Sequence, residues 1–174
     1  MRIPAYCVMP NHWHLVLHPK KDGDLSKFVR WLTLTHTQRH HAKTRTIGTG
    51  HLYQGRYKSF PVQTDSYFIQ LAKYVECNPL RARLVAKAED WRWGSAWRRT
   101  KGSIDDKKLL SEWPVPAPVD YESLLNQTDK NLDRIRLSVN RGQPLGDDLW
   151  SQQTTERFNL GSTIRPQDRP RKST

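Results

Sequence analysis

The chain contains 174 residues, of which 36% are hydrophobic and 26% carry a charge. That length suffices for one packed domain with a small appendage and is too short for two full-sized domains. No apolar run approaches the roughly 18 residues of a membrane span, and the N-terminus lacks the order of a signal peptide. These features argue against a membrane protein and lead us to expect a cytoplasmic one.

The charge of the chain is strongly positive and unevenly distributed. The formal net charge is +12. Residues 1–100 contain 17 Lys and Arg against 6 Asp and Glu (+11), whereas residues 101–174 contain 12 against 11 (+1). A polyanionic partner such as nucleic acid is the simplest explanation for the basic first part. The alternative is a solvated basic face without a partner, because net charge by itself concerns solubility and steering.

The cysteine content is low. Cys7 and Cys77 are the only cysteines, and neither belongs to a CxxC pair. Their spacing therefore offers no zinc knuckle or redox motif, and we expect both to be reduced, structural thiols.

The first predicted elements are a strand and a helix. Residues 5–18 are rich in Val, Leu and aromatic residues, and the alternation in their second half predicts a strand centred on residues 12–18. A helical period then starts at Asp24, which is placed to cap the N-terminus, and it continues to about Ala42. The predicted apolar stripe of this helix comprises Leu25, Phe28, Val29, Leu32 and His36.

A second extended segment and a second helix follow. Residues 51–63 are predicted to be extended, with a turn at Gly55. Asp65 or Ser66 then caps a helix that Pro79 limits near Asn78. The apolar face of this helix consists of Tyr67, Phe68, Leu71, Ala72 and Val75. An antiparallel sheet with two main helices places the protein in the α+β class.

The character of the sequence changes towards its C-terminal part. Before that change, Trp91, Trp93 and Trp97 are expected to pack at the domain edge. Residues 101–174 are predicted to form a proline-containing linker, one short helix within residues 131–142 and a basic disordered tail. The RPRK pattern at 169–172 is of a kind that enters a DNA minor groove, although four residues specify little.

The pair His12 and His14 is the first candidate for chemistry. Residues two apart on a strand project from the same face, so these imidazoles lie side by side with Trp13 on the opposite face. Such a pair can chelate a divalent metal ion. Taken alone, two histidines at this spacing are more often ordinary surface or packed residues.

Tyr74 and Asn78 form the second candidate. They lie four residues apart and therefore face the same side of a helix that persists that far. The alternatives are an amphipathic-helix tyrosine with its hydroxyl at the water edge and an asparagine that ends the helix before a proline.

These motifs, together with their neighbours, resemble a known family. The sequence contains the runs MPNHWHLVLHP, GHLYQGRYKSFPVQ, YVECNPLRARLV and EDWRWGS in this order. In this it is similar to the REP-associated tyrosine transposases of bacteria, a branch of the single-tyrosine HUH transposases, in which HUH denotes histidine, a bulky hydrophobic residue and histidine. The similarity covers roughly residues 5–100 and extends loosely into residues 141–146. It implies that residues 1–100 are a transposase-like catalytic domain with a ferredoxin-like antiparallel sheet and helices packed on one face.

The resemblance implies a role for each candidate residue. His12 and His14 would hold a divalent ion, Mg²⁺ or Mn²⁺, with Asn78 as the third ligand. Tyr74 would attack a phosphodiester of single-stranded DNA, because a phenol needs a metal, a base or an aligned phosphate to react at neutral pH. The product would be a 5′-phosphotyrosine, from which a second strand's 3′-hydroxyl can rejoin DNA without ATP. The family's association with repeated palindromes implies a hairpin-forming substrate, and relatives include monomers and homodimers.

Contacts with DNA are assigned only coarsely. The candidate phosphate contacts are Arg56, Lys58, Lys73, Arg81 and Arg83, and the candidate stacking residues are Tyr53 and Tyr57. The alternatives are solvated surface for the cations and core packing for the tyrosines.

The sequence departs from the family pattern at its N-terminus. Family members usually have a strand and a helix before the HUH strand, whereas only four residues precede Ala5 here, so we expect an N-terminally truncated version of the fold. An alternative function is therefore a catalytically inactive nucleic-acid-binding remnant. A hydrolase with a water nucleophile is less favoured because the sequence offers no carboxylate near His12.

Overall fold

A computed structural model describes residues 1–48, 50–127 and 132–165. Two strands, β1 (Arg2–Val8) and β2 (Trp13–His18), pair in antiparallel orientation. In the turn between them, the Met9 N–H donates a hydrogen bond to the His12 carbonyl at 2.8 Å. The register places Cys7 opposite His14 and Val8 opposite Trp13. The two-stranded antiparallel sheet with surrounding helices confirms the α+β class, and β2 confirms the predicted strand. The preceding β1 is a separate strand that the sequence pattern does not predict.

The outer edge of β1 is covered by a later segment of the chain. Gly94 forms an isolated antiparallel bridge with Cys7, and the Trp93 carbonyl accepts the Val8 N–H at 3.0 Å. The Trp91 indole N–H donates to the Val8 carbonyl at 2.9 Å. These bonds occupy backbone groups that an open edge strand would expose. The predicted packing role of the tryptophans fits Trp91 and Trp97, which are half-buried, but it is wrong for Trp93, which is 61% exposed.

Helix α1 (Asp24–Thr44) matches the first predicted helix. Asp24 is its first helical residue rather than its cap. The N-cap is Gly23 with φ of +79°, and the Asp24 carboxylate accepts the Lys21 N–H at 3.0 Å. Only Val29 of the predicted apolar stripe is buried, so most of this helix is in contact with solvent.

Helix α2 (Ser66–Glu76) matches the second predicted helix. The Asp65 carboxylate accepts the Tyr67 N–H at 2.8 Å, and Phe68, Leu71, Ala72 and Val75 are buried, which confirms most of the predicted apolar face. Pro79 then lies in the first turn of a separate short helix, α3 (Asn78–Arg81). A proline is tolerated there because the first-turn N–H groups have no intrahelical partner.

The predicted extended segment at 51–63 is wrong as a strand. Within it the structure has irregular backbone, with Gly55 at φ of +83° and a single isolated bridge between Val62 and Leu145. The other elements are a 3₁₀ turn and short helices. They are Ala88–Asp90, α4 (Ser95–Thr100), α5 (Ile104–Lys107), α6 (Tyr121–Leu125), α7 (Asp133–Arg141), α8 (Asp148–Arg157) and α9 (Gly161–Ile164). Helix α7 confirms the short helix predicted within residues 131–142.

The described chain divides into two compact units. Unit 1 contains residues 1–57 and 72–127, and its core includes Ala5, Cys7, Ala72, Val75, Ala96 and Leu125. Unit 2 contains residues 58–71 together with the later helices α7, α8 and α9. Most of the predicted basic tail, including residues 169–172, lies outside the described residues. None of the helices that the structure describes is long and apolar enough to cross a membrane.

Candidate functional site

His12 immediately precedes β2 and His14 is its second residue, and both lie in unit 1 with Tyr74. The rings of His12 and His14 meet edge to face with their centroids 5.0 Å apart. The His14 ring lies 6.2 Å from the ring of Tyr74 on α2. Trp13 lies on the opposite face of β2, where its ring meets the ring of Tyr53 edge to face with a centroid separation of 6.4 Å. The structure therefore brings both imidazoles and the phenol into one cluster.

The electrostatic state of this pair suits metal coordination. Burial lowers the pKa of His14 to about 4, and the nearby His12 and Arg81 contribute to the shift. His14 is therefore neutral at physiological pH, which is the form that binds a metal ion. His12 is exposed, and its Nδ1 donates to the Asn11 side-chain oxygen at 2.7 Å. That bond directs Nδ1 to Asn11, so Nε2 is the His12 nitrogen that can coordinate a metal ion.

Tyr74 is held by residues that follow it on α3. Tyr74 is buried, and the Arg81 guanidinium carbon lies 4.2 Å from the centroid of its ring. Arg81 also donates to the Tyr74 carbonyl. The Asn78 side-chain nitrogen donates to the carbonyls of Tyr74 at 3.1 Å and Val75 at 3.2 Å. Asn78 thereby directs its amide nitrogen to the end of α2 and leaves its oxygen for another partner.

The residues present fit an open divalent-metal site. Within the described residues there is no group of three His, Cys, Asp or Glu side chains that could hold an ion. The available donors are the two imidazoles and the amide oxygen of Asn78, the first residue of α3. Such a mixed nitrogen and oxygen set leaves coordination positions for phosphate and water, unlike a closed structural site.

The predicted DNA contacts fall into two groups. Tyr53 is half-buried, and its hydroxyl lies 2.7 Å from His36 Nδ1, so it fixes the 51–57 segment to α1. Tyr57 is 41% exposed, and its hydroxyl lies 3.2 Å from the Ser26 hydroxyl. The cations have different surroundings. Arg56 and Arg83 are exposed, and Lys73 is half-buried on α2. Lys58 Nζ donates a hydrogen bond to the Asn140 carbonyl at 3.4 Å. The Arg81 guanidinium lies over the ring of Tyr74.

Sequence reasoning missed Glu76, which lies two residues after Tyr74. Its side chain is fully buried and accepts hydrogen bonds from Ser95, from Arg99 and from the Tyr121 hydroxyl at 2.9 Å. Ser95 Oγ also accepts the Tyr6 N–H at 2.9 Å. This network ties α2, which carries Tyr74, to β1. The available signal was a single acidic residue within the otherwise apolar run Val75 to Cys77.

A comparison with protein families agrees with this cluster. Residues 1–78 match the family described as Transposase IS200 like. The matched range contains β1, β2, α1 and α2, and with them His12, His14, Tyr74 and Asn78. This part of the chain is therefore similar to that transposase family. No curated protein and no solved structure matches the sequence.

Proposed function

We propose that this protein is a single-tyrosine HUH transposase of the REP-associated type, which cuts and rejoins single-stranded DNA through a 5′-phosphotyrosine on Tyr74. The observation that supports it most is the cluster of His12, His14 and Tyr74 on one side of β2. The transposase match over residues 1–78 adds independent support.

The chemistry assigned to Tyr74 is a reversible exchange of phosphodiester bonds. Tyr74 Oη bonds to the phosphorus, the bond from phosphorus to the 3′-oxygen breaks, and that oxygen takes up a proton while the phenolic proton is released. The energy of the broken bond is retained in the covalent intermediate. A second 3′-hydroxyl then attacks the phosphorus and releases Tyr74, so joining needs no ATP.

The surrounding side chains bind and orient the scissile phosphate. Arg81 provides a guanidinium beside the Tyr74 ring, where it can contact a phosphoryl oxygen. Arg56, Lys58, Lys73 and Arg83 are proposed to contact neighbouring phosphates, which makes binding dependent on salt. Held by His12, His14 and the Asn78 oxygen, Mg²⁺ or Mn²⁺ would neutralise charge on the phosphoryl oxygens and align them for attack.

The proposed substrate is a hairpin-forming single strand with a cleavage site in its unpaired part. The formal net charge of residues 1–100 is +11, which favours a polyanionic substrate such as DNA. The preference for a hairpin is carried over from the resemblance to the REP-associated transposases.

The test is the formation of a covalent adduct that resists denaturing detergent. The protein is incubated with Mg²⁺ or Mn²⁺ and a hairpin DNA labelled at its 3′ end, because a 5′-phosphotyrosine retains the 3′ fragment. We expect labelled protein with the wild type and none with Tyr74→Phe. A substrate labelled at the 5′ end should release a free labelled fragment.

The matched control is Tyr67→Phe, which removes a hydroxyl from the same helix, where it accepts a hydrogen bond from the exposed Arg134 side chain at 3.2 Å. This variant should form the adduct at the wild-type level. DNA binding without any adduct, with either metal, would contradict the proposal and favour an inactive binding remnant.

A further inference from the structure

Trp93 is a large aromatic side chain that the fold leaves in solvent. It is 61% exposed, whereas Trp91 and Trp97 in the same short segment are half-buried. Tryptophan is highly buried on average in folded proteins. Packing therefore explains Trp91 and Trp97 and gives no reason for the position of Trp93.

The backbone of Trp93 lies beside the hairpin that carries the candidate metal ligands. The Trp93 carbonyl accepts the Val8 N–H at 3.0 Å, and Val8 pairs with Trp13, the residue between His12 and His14. Two inter-strand spacings of about 4.8 Å therefore separate the backbones of Trp93 and Trp13. Val8 itself is 43% exposed, so the apolar surface continues onto β1.

A cation accompanies the exposed indole. The guanidinium carbon of Arg92 lies 6.0 Å from the Trp93 ring and 5.8 Å from the Trp97 ring, and the Arg92 side chain is exposed. An aromatic face next to a guanidinium matches the two parts of a nucleotide, which are a planar base and an anionic phosphate. The +11 balance of residues 1–100 favours this ligand over a cationic or purely apolar partner.

We propose that Trp93 and Arg92 form a binding site for one unpaired nucleotide of single-stranded DNA, on the face of the hairpin that carries Val8 and Trp13, opposite to the imidazole pair. The base stacks on Trp93, and Arg92 contacts the phosphate. Because every base has a π-face, this site tolerates different sequences and selects unpaired over paired DNA. The inference rests on the proposed function, to which it adds a contact with single-stranded DNA on the other face of the hairpin.

The experiment measures DNA affinity in EDTA, so that cleavage does not interfere. Fluorescence anisotropy compares a labelled hairpin that has a single-stranded tail with a blunt hairpin of the same stem. Trp93→Ala should weaken binding of the tailed hairpin by about 5- to 100-fold. It should change binding of the blunt hairpin much less. Trp93→Phe should restore most of the affinity.

The matched control is Trp31→Ala, because Trp31 on α1 is 59% exposed, nearly the same as Trp93. It should bind both hairpins as the wild type does. The proposal is overturned if Trp93→Ala binds the tailed hairpin within twofold of the wild type, or if Trp31→Ala loses as much affinity. A change of oligomeric state in Trp93→Ala at unchanged DNA affinity would also overturn it, in favour of a protein partner.

The adduct assay on the tailed hairpin separates this inference from the proposed function. Binding that depends on Trp93 without any adduct would leave the nucleotide site standing and contradict the transposase. If Trp93→Ala forms the adduct at the wild-type level and binds DNA with unchanged affinity, the transposase proposal stands and the nucleotide site is overturned. A wild-type protein that does not bind the tailed hairpin would overturn the nucleotide site.

Discussion

The Arg81 guanidinium carbon lies 4.2 Å from the centroid of the Tyr74 ring, and the same side chain donates a hydrogen bond to the Tyr74 carbonyl. Arg81 thus holds its neighbour through both the ring and the backbone. Because Arg81 belongs to α3, the orientation of Tyr74 depends on the short helix that follows it. A planar guanidinium can make both contacts at once, which a lysine ammonium cannot.

The first prediction concerns Arg81. Arg81→Ala should slow adduct formation by about 100- to 1,000-fold at saturating DNA, as expected for the loss of one donor at a developing charge. Arg81→Lys should recover part of the rate, since it keeps the charge without the planar geometry. The measurement is the single-turnover rate of adduct formation. Arg83→Ala is the control, because Arg83 is exposed, and it should alter affinity but not that rate.

Local sequence patterns predicted the helices better than the sheet. The period from Asp24 and the apolar face of α2 marked two helices to within a few residues, because both signals repeat over several turns. The strand pair was harder to predict because β1 is interrupted by Pro4 and its outer edge is satisfied by residues about 85 positions later, at Trp93. Residues 51–63 have strand-like composition, but the structure provides a single isolated bridge at Val62.

In the candidate site, too, features set by local sequence were predictable and features set by distant segments were not. The spacing of His12 and His14 predicts a common face for the two rings, and in the structure the His14 ring lies 6.2 Å from the ring of Tyr74. The buried position of Glu76 was not predictable from spacing, because its partners Ser95, Arg99 and Tyr121 come from distant segments. Long-range polar networks leave no periodic signal in a sequence.

The second prediction concerns the stability contributed by Glu76. Glu76→Gln leaves the Arg99 guanidinium without its carboxylate in a largely buried position. Removing one partner of a buried ion pair typically costs about 3–5 kcal/mol, and we expect the lower end because the Arg99 side chain is 27% exposed and can be partly rehydrated. Urea unfolding should therefore give a free energy of unfolding about 3 kcal/mol below that of the wild type.

The control for this variant is Glu122→Gln on α6, whose side chain is exposed. It should change the free energy of unfolding by no more than about 0.5 kcal/mol, as is usual for surface positions. Equal stability of both variants and the wild type would show that the Glu76 network does not hold α2 against β1.

The third prediction is a loss of stability at alkaline pH through Tyr121. Burial, followed by the neighbouring Glu76 carboxylate, raises the pKa of Tyr121 far above its ordinary value of 10.0. Below pH 10 the phenol is protonated in both the folded and the unfolded chain, so its contribution is fully present. Above pH 10 only the unfolded chain releases the proton, and the free energy of unfolding falls by about 1.4 kcal/mol per pH unit from this group.

Urea unfolding at pH 8, 10 and 11 measures this slope. Tyr121→Phe should be less stable than the wild type at pH 8, because it loses the hydrogen bond to Glu76, and its stability should fall less steeply above pH 10. Tyr57→Phe is the control, since Tyr57 is 41% exposed, and it should retain the wild-type slope. Identical slopes in Tyr121→Phe and the wild type would exclude Tyr121 as the titrating group.

The last prediction concerns metal binding by the histidine pair. Loss of a group that merely supports a metal ligand typically lowers affinity by about 10- to 100-fold, so loss of a ligand itself should cost at least as much. His12→Ala and His14→Ala should therefore each weaken Mn²⁺ binding by at least about tenfold, as measured from the free-ion paramagnetic resonance signal. His18→Ala, at the exposed end of the same strand, should bind Mn²⁺ as the wild type does. If all three variants bound equally, the ion would be held elsewhere, and the adjacency of these imidazoles to Tyr74 would need another explanation.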